Sequence, residues 1–521
     1  MGIIFSRDKR VGITYAYENQ SYWDKGKKQP RSHRRLIGRV DEATGEIVST
    51  RKRQLSSSES VSKRTFCGAT YLLDEVVKKL GLREDLKECF PRQYMQILSI
   101  AYYLILEDRN PLFRFSRWSS THRHPYGDDI PSQRSSDLFA SITESGKNDF
   151  FVLQGKRKKE CEYWFYDSTS ISSYSRCLAQ VRYGYNKDHE HLEQLNLAVL
   201  FGEKSQLPFY YRKLAGNISD VKTIKNLIAD INLFEYKKIK LVMDRGFYSE
   251  DNINAILAAH LKFLIGVKVS LSFVQDVLSD VREEMRNFNH YHTDYGLYCY
   301  SRVISWDYKH KRLYKRDTIK EGRRMYLHLY YDMDKALDDE RTLNANLIKW
   351  KSELESGKTN VANEKFYVKY FEVLSTPVRG VKVKVRQEAI DKAKKNYGYF
   401  AMLSNEVKEP IKALELFRNK DLVEKAFENI KDRLAFRRAL VSSEKSLDGK
   451  LFVEFVALVI MSEIKRNMQE AGLFKKYTMQ EMFDQIDLIE CFEQKGKKVR
   501  YGEIVKKQYE IYEAFRIKPP A

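Results

Sequence analysis

Two aspartates at predicted strand positions are the residues whose type and spacing best suit catalysis. In "KIKLVMDRGFYSEDNI" (residues 239–254) an apolar, β-favouring run ends abruptly on Asp244. In "CEYWFYDSTSISSYS" (161–175) Asp167 lies inside a second predicted strand. Neighbouring carboxylates repel each other, and a hard divalent cation removes that repulsion. The pair therefore predicts metal-dependent chemistry. The alternative interpretation makes Asp167 an outward polar residue of an edge strand and Asp244 a helix cap.

A third candidate carboxylate, Glu424, lies on a predicted helix over residues 415–436. At about 100° per residue, Glu424 shares one strip of this helix with Lys420 and Lys431, beside the apolar stripe that would anchor the helix. A carboxylate flanked by lysines suits a metal ion next to a phosphate. An ordinary i,i+4 Lys–Glu pair on a solvated face is the alternative.

The predicted elements have an order that brings the two aspartates together. The strand of Asp167 is followed by two hairpin arms, "LNLAVLFG" and "LPFYYRKLAG", then a helix, the strand ending at Asp244, a second helix and the strand "KFLIGVKV". This is the RNase H-like order, in which the first and fourth strands are neighbours in the centre of a mixed sheet. The spacing (244 − 167 = 77 residues) fits two strands, a helix and their turns.

Several motifs in this order resemble the DDE transposases of the IS4 superfamily, in particular the IS1634 type. They are "YDSTS", "MDRGFYSEDNI" and F-x2-K-x3-E-x6-K, formed by Phe417, Lys420, Glu424 and Lys431. The last spacing is that of the family signature Y-(2)-R-(3)-E-(6)-K. "GYNKDHEHLEQLNLAVLF", "AGNISD" and "LDGKLFVEFVALVI" are similar to the same family, so the resemblance covers residues from about 10 to 465.

The resemblance implies an α/β chain with an RNase H-like catalytic core, a mixed sheet flanked by helices. It implies that Asp167, Asp244 and Glu424 bind two Mg²⁺ ions, for which Mn²⁺ would substitute. It also implies a β-rich insertion between the second aspartate and the glutamate, for which the gap (424 − 244 = 180 residues) has room. Phe417 and Lys420 replace the signature tyrosine and arginine, which weakens the expected phosphate clamp but leaves the metal ligands intact.

The predicted domain organisation combines this resemblance with local patterning. We expect a basic β-rich N-terminal region (1–65), a helical DNA-binding region (66–150), the first part of the core (151–270), a β-rich insertion domain (271–405), the second part of the core carrying the catalytic glutamate (406–470), and a C-terminal helical region suited to dimerisation (471–521).

The net charge of +21 favours a polyanionic partner. The expected partner is double-stranded DNA, both the terminal inverted repeats of a transposon and target DNA, bound by a homodimer. Trp306 is either a base-stacking residue or a hydrophobic anchor. The basic runs "KHKRLYKR" (309–316) and "VKVKVR" (381–386) either follow the DNA phosphates or form solvated surface. The candidate DNA contacts are Arg245, Lys309, Lys311, Arg312, Phe417, Lys420 and Lys431.

The six cysteines lie far apart, which argues against a zinc module or a disulfide framework and fits a reducing cytosol. The longest apolar run (451–461) is too short to cross a membrane. We therefore expect a cytoplasmic, nucleoid-associated bacterial transposase that cleaves transposon ends and joins the 3′-OH to target DNA. An RNase H-like nuclease that does not join strands and a catalytically inactive DNA-binding remnant are the alternatives.

Overall fold

The computed structural model describes the chain except for residues 1, 9–11, 42–43, 49–62, 109, 158–161, 176, 189, 235, 237, 312–317, 377–379, 429–442 and 495–496. Two compact units are present: Met1–Arg64 with Cys491–Gly502, and Thr65–Glu490 with Glu503–Ala521. The predictions for Arg312 and Lys431 lie outside the described residues, and so does the side chain of Lys311.

The strands, in chain order, are β1 (Gly2–Arg7), β2 (Thr14–Asp24), β3 (Gln29–Val40), β4 (Ile47–Val48), β5 (Lys63–Phe66), β6 (Tyr163–Ser172), β7 (Gln194–Gly202), β8 (Pro208–Ala215), β9 (Lys240–Met243), β10 (Lys262–Val267), β11 (Tyr291–His292), β12 (Leu297–Lys311), β13 (Thr318–Asp332), β14 (Phe371–Thr376), β15 (Gly380–Val385), β16 (Tyr399–Ser404), β17 (Glu490–Glu493) and β18 (Arg500–Tyr501).

The helices are α1 (Gly68–Lys79), α2 (Leu82–Cys89), α3 (Tyr94–Leu106), α4 (Phe115–Thr121), α5 (Ser132–Ser141), α6 (Glu144–Lys156), α7 (Ile224–Leu233), α8 (Glu250–Ala258), α9 (Ser272–Met285), α10 (Met333–Ser356), α11 (Glu364–Tyr370), α12 (Gln387–Lys394), α13 (Pro410–Arg418), α14 (Asp421–Glu428), α15 (Glu444–Glu470), α16 (Met479–Asp487) and α17 (Lys506–Ala514). In the described part of the chain, no helix combines the length and the apolar character that a membrane crossing needs.

The first unit contains an antiparallel sheet in the order β1-β2-β3-β4. The basic strand β3 pairs with β2 so that Arg34 lies opposite Asn19 and Arg35 opposite Glu18. Most of β3 is exposed to solvent. The strands β17 and β18 pair with each other in this unit, a hairpin that the helical periodicity of the C-terminal region did not predict.

The second unit is of the mixed α/β class, and its largest sheet has nine strands in the order β11-β12-β13-β16-β10-β9-β6-β7-β8. The strand β6 pairs antiparallel with β7 and parallel with β9, and β9 pairs parallel with β10. The prediction that the strands of the two aspartates are neighbours is therefore confirmed. Every residue of β6 is buried, as expected for a central strand covered on both faces.

The segment 271–405 contributes strands to two different sheets. Its strands β11, β12, β13 and β16 extend the large sheet beyond β10, while β14 and β15 form a separate hairpin. Around this hairpin, α10, α11 and α12 enclose a small core that includes Trp350, Tyr370 and Phe371. The expected insertion domain therefore contains both an extension of the large sheet and a compact helical part, and its boundaries remain a prediction.

The single helix predicted over residues 415–436 is wrong, because the described chain contains two shorter helices there. The helix α13 ends at Arg418 and α14 begins at Asp421, with a turn at Asn419 and Lys420 between them. Asparagine and aspartate favour helix ends because their short polar side chains compete for backbone hydrogen bonds. The predicted apolar stripe is present in α14, where Val423 and Phe427 are buried.

Candidate active site

Asp167 lies in the middle of β6 and is only 6% exposed. Its Oδ1 atom accepts a hydrogen bond of 2.8 Å from the backbone N–H of Ser168. Because β6 is flanked by β7 and β9, the alternative of an edge-strand residue is wrong. A carboxylate in this position is costly to bury unless cations or other polar groups face it.

Asp244 directly follows β9, on the strand next to Asp167. The pairing of Tyr166 with Met243 places the two aspartates at equivalent positions on adjoining parallel strands. The Oδ1 atom of Asp244 accepts a hydrogen bond of 2.7 Å from the N–H of Arg245, as a cap of the short 3-10 turn that follows. Its Oδ2 atom faces Lys420. The Oδ1 atom of Asp244 therefore caps the turn, while its Oδ2 atom faces the lysine, and the catalytic role of Asp244 remains a prediction.

The ammonium group of Lys420 brings the three predicted acids together. Its Nζ atom lies 3.7 Å from Oδ2 of Asp167, 3.5 Å from Oδ2 of Asp244 and 3.3 Å from Oε1 of Glu424. The turn between α13 and α14 places Lys420 inward, where its side chain is largely buried. Three carboxylates from β6, β9 and α14 therefore surround one cation.

The electrostatics of this group follow from burial and from the lysines. Burial raises the pKa of Asp167 above its usual value, although Lys187 and Lys420 act in the opposite direction and Asp244 adds to the rise. Burial alone would lower the pKa of Lys420, but Asp167, Asp244 and Glu424 together raise it. Lys420 is therefore held firmly in its charged form, as a counter-ion to the acids.

Two further residues of this site were not singled out by the sequence analysis. The Nζ atom of Lys187 lies 3.4 Å from Asp167 and 3.4 Å from Asp220, and it donates a hydrogen bond of 2.6 Å to the carbonyl of Ser168. The hydroxyl of Ser168 donates to Asp220. Lys187 belongs to the motif "GYNKDHEH" and Asp220 to "AGNISD". The resemblance of these motifs to the family is the sequence signal that could have identified both residues as part of the site.

These side chains line an open cleft of about 1210 Å³. The cleft also contains Arg245 and Lys268, both exposed and positively charged, at its rim. Phe417 lies behind the site, with its ring 5.8 Å from Nζ of Lys420. Lys309 is exposed on β12 and does not line the cleft.

The donor set fits a hard divalent cation in its chemistry, because carboxylate oxygens are the protein ligands that Mg²⁺ prefers. The ammonium of Lys420 marks where a positive charge is held between the three acids. Among the described residues, however, no group of three acidic, histidine or cysteine side chains is close enough to hold a metal ion in this arrangement. In this arrangement Lys420 is the counter-ion of Asp167, Asp244 and Glu424, and their role as metal ligands remains a prediction.

The profile of the family described as "Transposase DDE domain" matches residues 164–460, which is more than half of the chain. The chain belongs to the DDE transposase family. All three predicted acids lie within the matched region, and the catalytic role of each remains a prediction. The match does not distinguish the IS1634 type, which also remains a prediction.

Comparisons with solved structures and with curated protein sequences say less about this transposase than the family match does. Among solved structures it is similar to the piggyBac transposase in a synaptic complex with hairpin DNA, with a TM-score of 0.40, 9% sequence identity, and coverage of 80% of this chain and 77% of that one. No curated protein sequence matches it. DDE transposases are enzymes of DNA transposition that generally use divalent metal ions.

Proposed function

We propose that this transposase cleaves the DNA at transposon ends and joins the resulting 3′-OH to target DNA, using Asp167, Asp244 and Glu424 as metal ligands. The observation that carries the proposal is the convergence of these three acids on one cation. Two of them come from adjoining strands and the third from a helix, so residues distant in sequence form one acidic group. The alternative, an ordinary i,i+4 Lys–Glu pair on a solvated helix face, would not account for this convergence.

The strand order supports an RNase H-like core for the proposed enzyme. The strands β6 to β10 lie in the order β8-β7-β6-β9-β10, with two antiparallel pairings followed by two parallel ones. In this arrangement Asp167 is held by a rigid central strand, and Asp244 by the end of the next one. Glu424 is the most exposed of the three acids, and Asp167 is the most buried.

The proposed cofactor is Mg²⁺, with Mn²⁺ as a substitute. When bound, such ions lower the pKa of an attacking water or 3′-hydroxyl and stabilise the leaving oxygen. Lys420 and Lys187 keep the acids together before metal binding, because they offset the mutual repulsion of the carboxylates. Arg245 and Lys268 at the rim of the cleft carry the positive charge that would attract the DNA backbone.

The DNA itself and the assembly on it belong to the proposal as well. The exposed basic strand β3, with Arg34 and Arg35, is a candidate for reading or holding terminal inverted repeats. Because a transposon has two ends, we expect two copies of the chain to act together on DNA. The cytoplasmic, nucleoid-associated location follows from this function.

A strand-transfer assay tests the proposal directly. The purified chain is incubated with Mg²⁺, target plasmid and a labelled duplex carrying the inverted repeat found beside its gene. We expect labelled DNA joined to the target. Cleavage without joining would instead identify a nuclease, and binding without cleavage a DNA-binding remnant, and either result would contradict the proposal.

A further inference from the structure

A second cavity, outside the acidic cleft, is lined by arginine, lysine and tyrosine side chains. It has a volume of about 390 Å³, which is within the usual range for small-ligand sites. We define the arginine–tyrosine pocket by the residues that line it: Arg282, Arg286, Tyr331, Ala336, Leu337, Glu340, Lys394, Lys395, Tyr397 and Tyr399.

The two arginines of this pocket lie over tyrosine rings. The guanidinium carbon of Arg286 lies 4.2 Å from the ring centre of Tyr331 and 5.8 Å from that of Tyr399. The guanidinium carbon of Arg282 lies 4.7 Å from the ring centre of Tyr399, and its Nη1 atom donates to the carbonyl of Lys395. A guanidinium stacked by its face keeps the N–H donors at its edge available, in the planar arrangement that matches a phosphate.

The charge of the pocket is not neutralised by its own acids. It contains four cations (Arg282, Arg286, Lys394 and Lys395) and one carboxylate, Glu340, which pairs with Lys394 at 2.6 Å. In the described part of the chain, no carboxylate forms an ion pair with Arg286 or Lys395. An anion in this pocket would therefore meet two positive charges, those of Arg286 and Lys395, that are not paired with a carboxylate of the described chain.

The wall of the pocket is built from strands and helices together with the short turns that follow α9 and α12. Gly398, directly before Tyr399, has a φ of +74°, a conformation that favours glycine. Its backbone lies so close to Asp332 that a Cβ atom at this position would be 2.4 Å from the carbonyl oxygen of Asp332. Its N–H donates to Asp339 at 3.1 Å. Tyr331 belongs to β13 and Tyr399 to β16, while Arg286 and Lys395 directly follow the last residues of α9 and α12, so each of these cations is anchored at a helix end. Pre-positioned donors lose less conformational entropy when an anion binds.

We propose that the arginine–tyrosine pocket binds a phosphodiester group of the DNA backbone, at a contact separate from the catalytic cleft. This inference rests on the proposed DNA substrate and adds a second DNA-contacting site to it. Arg286 and Lys395 would hold the phosphate oxygens, while the tyrosines keep the guanidinium planes in place. Because a backbone phosphate is the same at every step, this contact adds affinity without base preference.

The double variant Arg286→Ala/Lys395→Ala tests the proposal by fluorescence anisotropy with labelled duplexes of two unrelated sequences, without metal and over a range of salt concentrations. We expect weaker binding to both duplexes, and a slope of log affinity against log salt that is smaller by about 1 for each lost phosphate contact. The control is Arg341→Ala, which removes a 71% exposed arginine of α10 outside the pocket and should leave affinity and slope almost unchanged. Wild-type affinity and slope in the double variant would overturn the proposal.

Inorganic phosphate is the probe that distinguishes a pocket for the DNA backbone from a pocket for free phosphate. A free phosphate carries the same oxygens as a backbone phosphodiester, so weak stabilisation of the wild type by millimolar phosphate, beyond that of chloride at equal ionic strength, supports the proposal when the double variant also loses DNA affinity. If phosphate stabilised the wild type but not the double variant, while DNA binding stayed equal, the pocket would be a free-phosphate site and the proposal would fail. DNA cleavage is measured separately. If the wild type bound DNA through this pocket but did not cleave it, the proposed enzymatic function would be contradicted, whereas the proposed phosphate contact would not.

Discussion

At the residue scale, the distinctive feature is that a lysine occupies the centre of the acidic group. The sequence was sufficient to select Asp167, Asp244, Glu424 and Lys420, because residue types and spacings are visible in it. It was not sufficient to show that one ammonium contacts all three acids, since that depends on the inward turn at Asn419 and Lys420. Lys187 was missed for a similar reason, because its contact with Asp167 is made across a loop.

The substitution Asp244→Asn tests the proposed metal site with little change in shape. The amide oxygen still accepts the hydrogen bond from Arg245, but the side chain no longer carries a negative charge. We expect cleavage of transposon-end DNA to fall by more than about 100-fold. Mutating a residue that only hydrogen-bonds to a metal ligand already lowers metal affinity or activity by about 10–100-fold. Binding to the same DNA should persist. Asp251→Asn, an exposed aspartate in the first turn of α8, is the control; normal cleavage by Asp244→Asn would refute the role of Asp244.

The substitution Lys420→Met tests competition between the lysine and a divalent cation. Without the ammonium, the three carboxylates lack their shared counter-ion, so Mg²⁺ no longer has to displace it. We expect the Mg²⁺ concentration that half-maximally raises Tm to fall, by about tenfold if the competition amounts to about 1.4 kcal/mol. The matched control is Lys425→Met, an exposed lysine of α14. Equal midpoints for Lys420→Met and wild type would show that the ammonium does not compete.

At the element scale, strand order was more predictable than helix continuity. The alternation of apolar residues and turns was enough to order β6, β7, β8, β9 and β10, because each strand has its own local pattern. The break between α13 and α14 was not predicted, since both helices have compatible periodicity and the helix-ending tendency of Asn419 and Asp421 was not weighed against it. The joining of β12, β13 and β16 to the large sheet was also missed, because pairing between distant strands leaves no local signal.

Trp306 illustrates how packing decides between two interpretations that the sequence left open. Its side chain is 7% exposed, its Nε1 donates to Asn254 of α8 at 3.0 Å, and its ring lies edge-on to Phe273 of α9 at 5.7 Å. These contacts support the hydrophobic anchor that holds β12 against the two helices. A base-stacking residue would need an accessible ring face.

We therefore expect Trp306→Ala to lower the free energy of unfolding by about 3–5 kcal/mol, as for other buried large-to-small changes. Urea unfolding followed by circular dichroism measures this loss. Val303→Ala on the same strand is the control, because Val303 is 52% exposed and should change stability by less than about 0.5 kcal/mol. Unchanged stability in Trp306→Ala, together with loss of strand transfer, would favour base stacking instead.

At the scale of the whole molecule, α15 joins the N-terminal helices to the large sheet. It packs against α3 and α5 and also against β8. All of its residues from Leu451 to Ile464 are buried. Among them is Glu454, which is 2% exposed and has no hydrogen-bond partner for either carboxylate oxygen. Its nearest cation is Lys450, whose Nζ lies 3.8 Å from Oε1, too far for a hydrogen bond.

Glu454 should make the stability of the second unit depend on pH. Burial raises the pKa of Glu454 to about 8, with Lys450 acting in the opposite direction, so the folded chain keeps this proton at pH values where the unfolded chain has lost it. The stabilisation is complete below the unfolded pKa near 4.5 and is lost as the pH rises toward 8. This one group contributes at most about 1.4 kcal/mol per pH unit to the free energy of unfolding.

The substitution Glu454→Gln tests this pH dependence, because glutamine is neutral at every pH. We expect it to remove the slope from the free energies of urea unfolding measured between pH 5 and pH 8. The control Glu470→Gln, near the exposed end of α15, should keep the slope. Parallel curves for wild type and Glu454→Gln would mean that Glu454 is already ionised in the folded chain, with Lys450 as its effective partner.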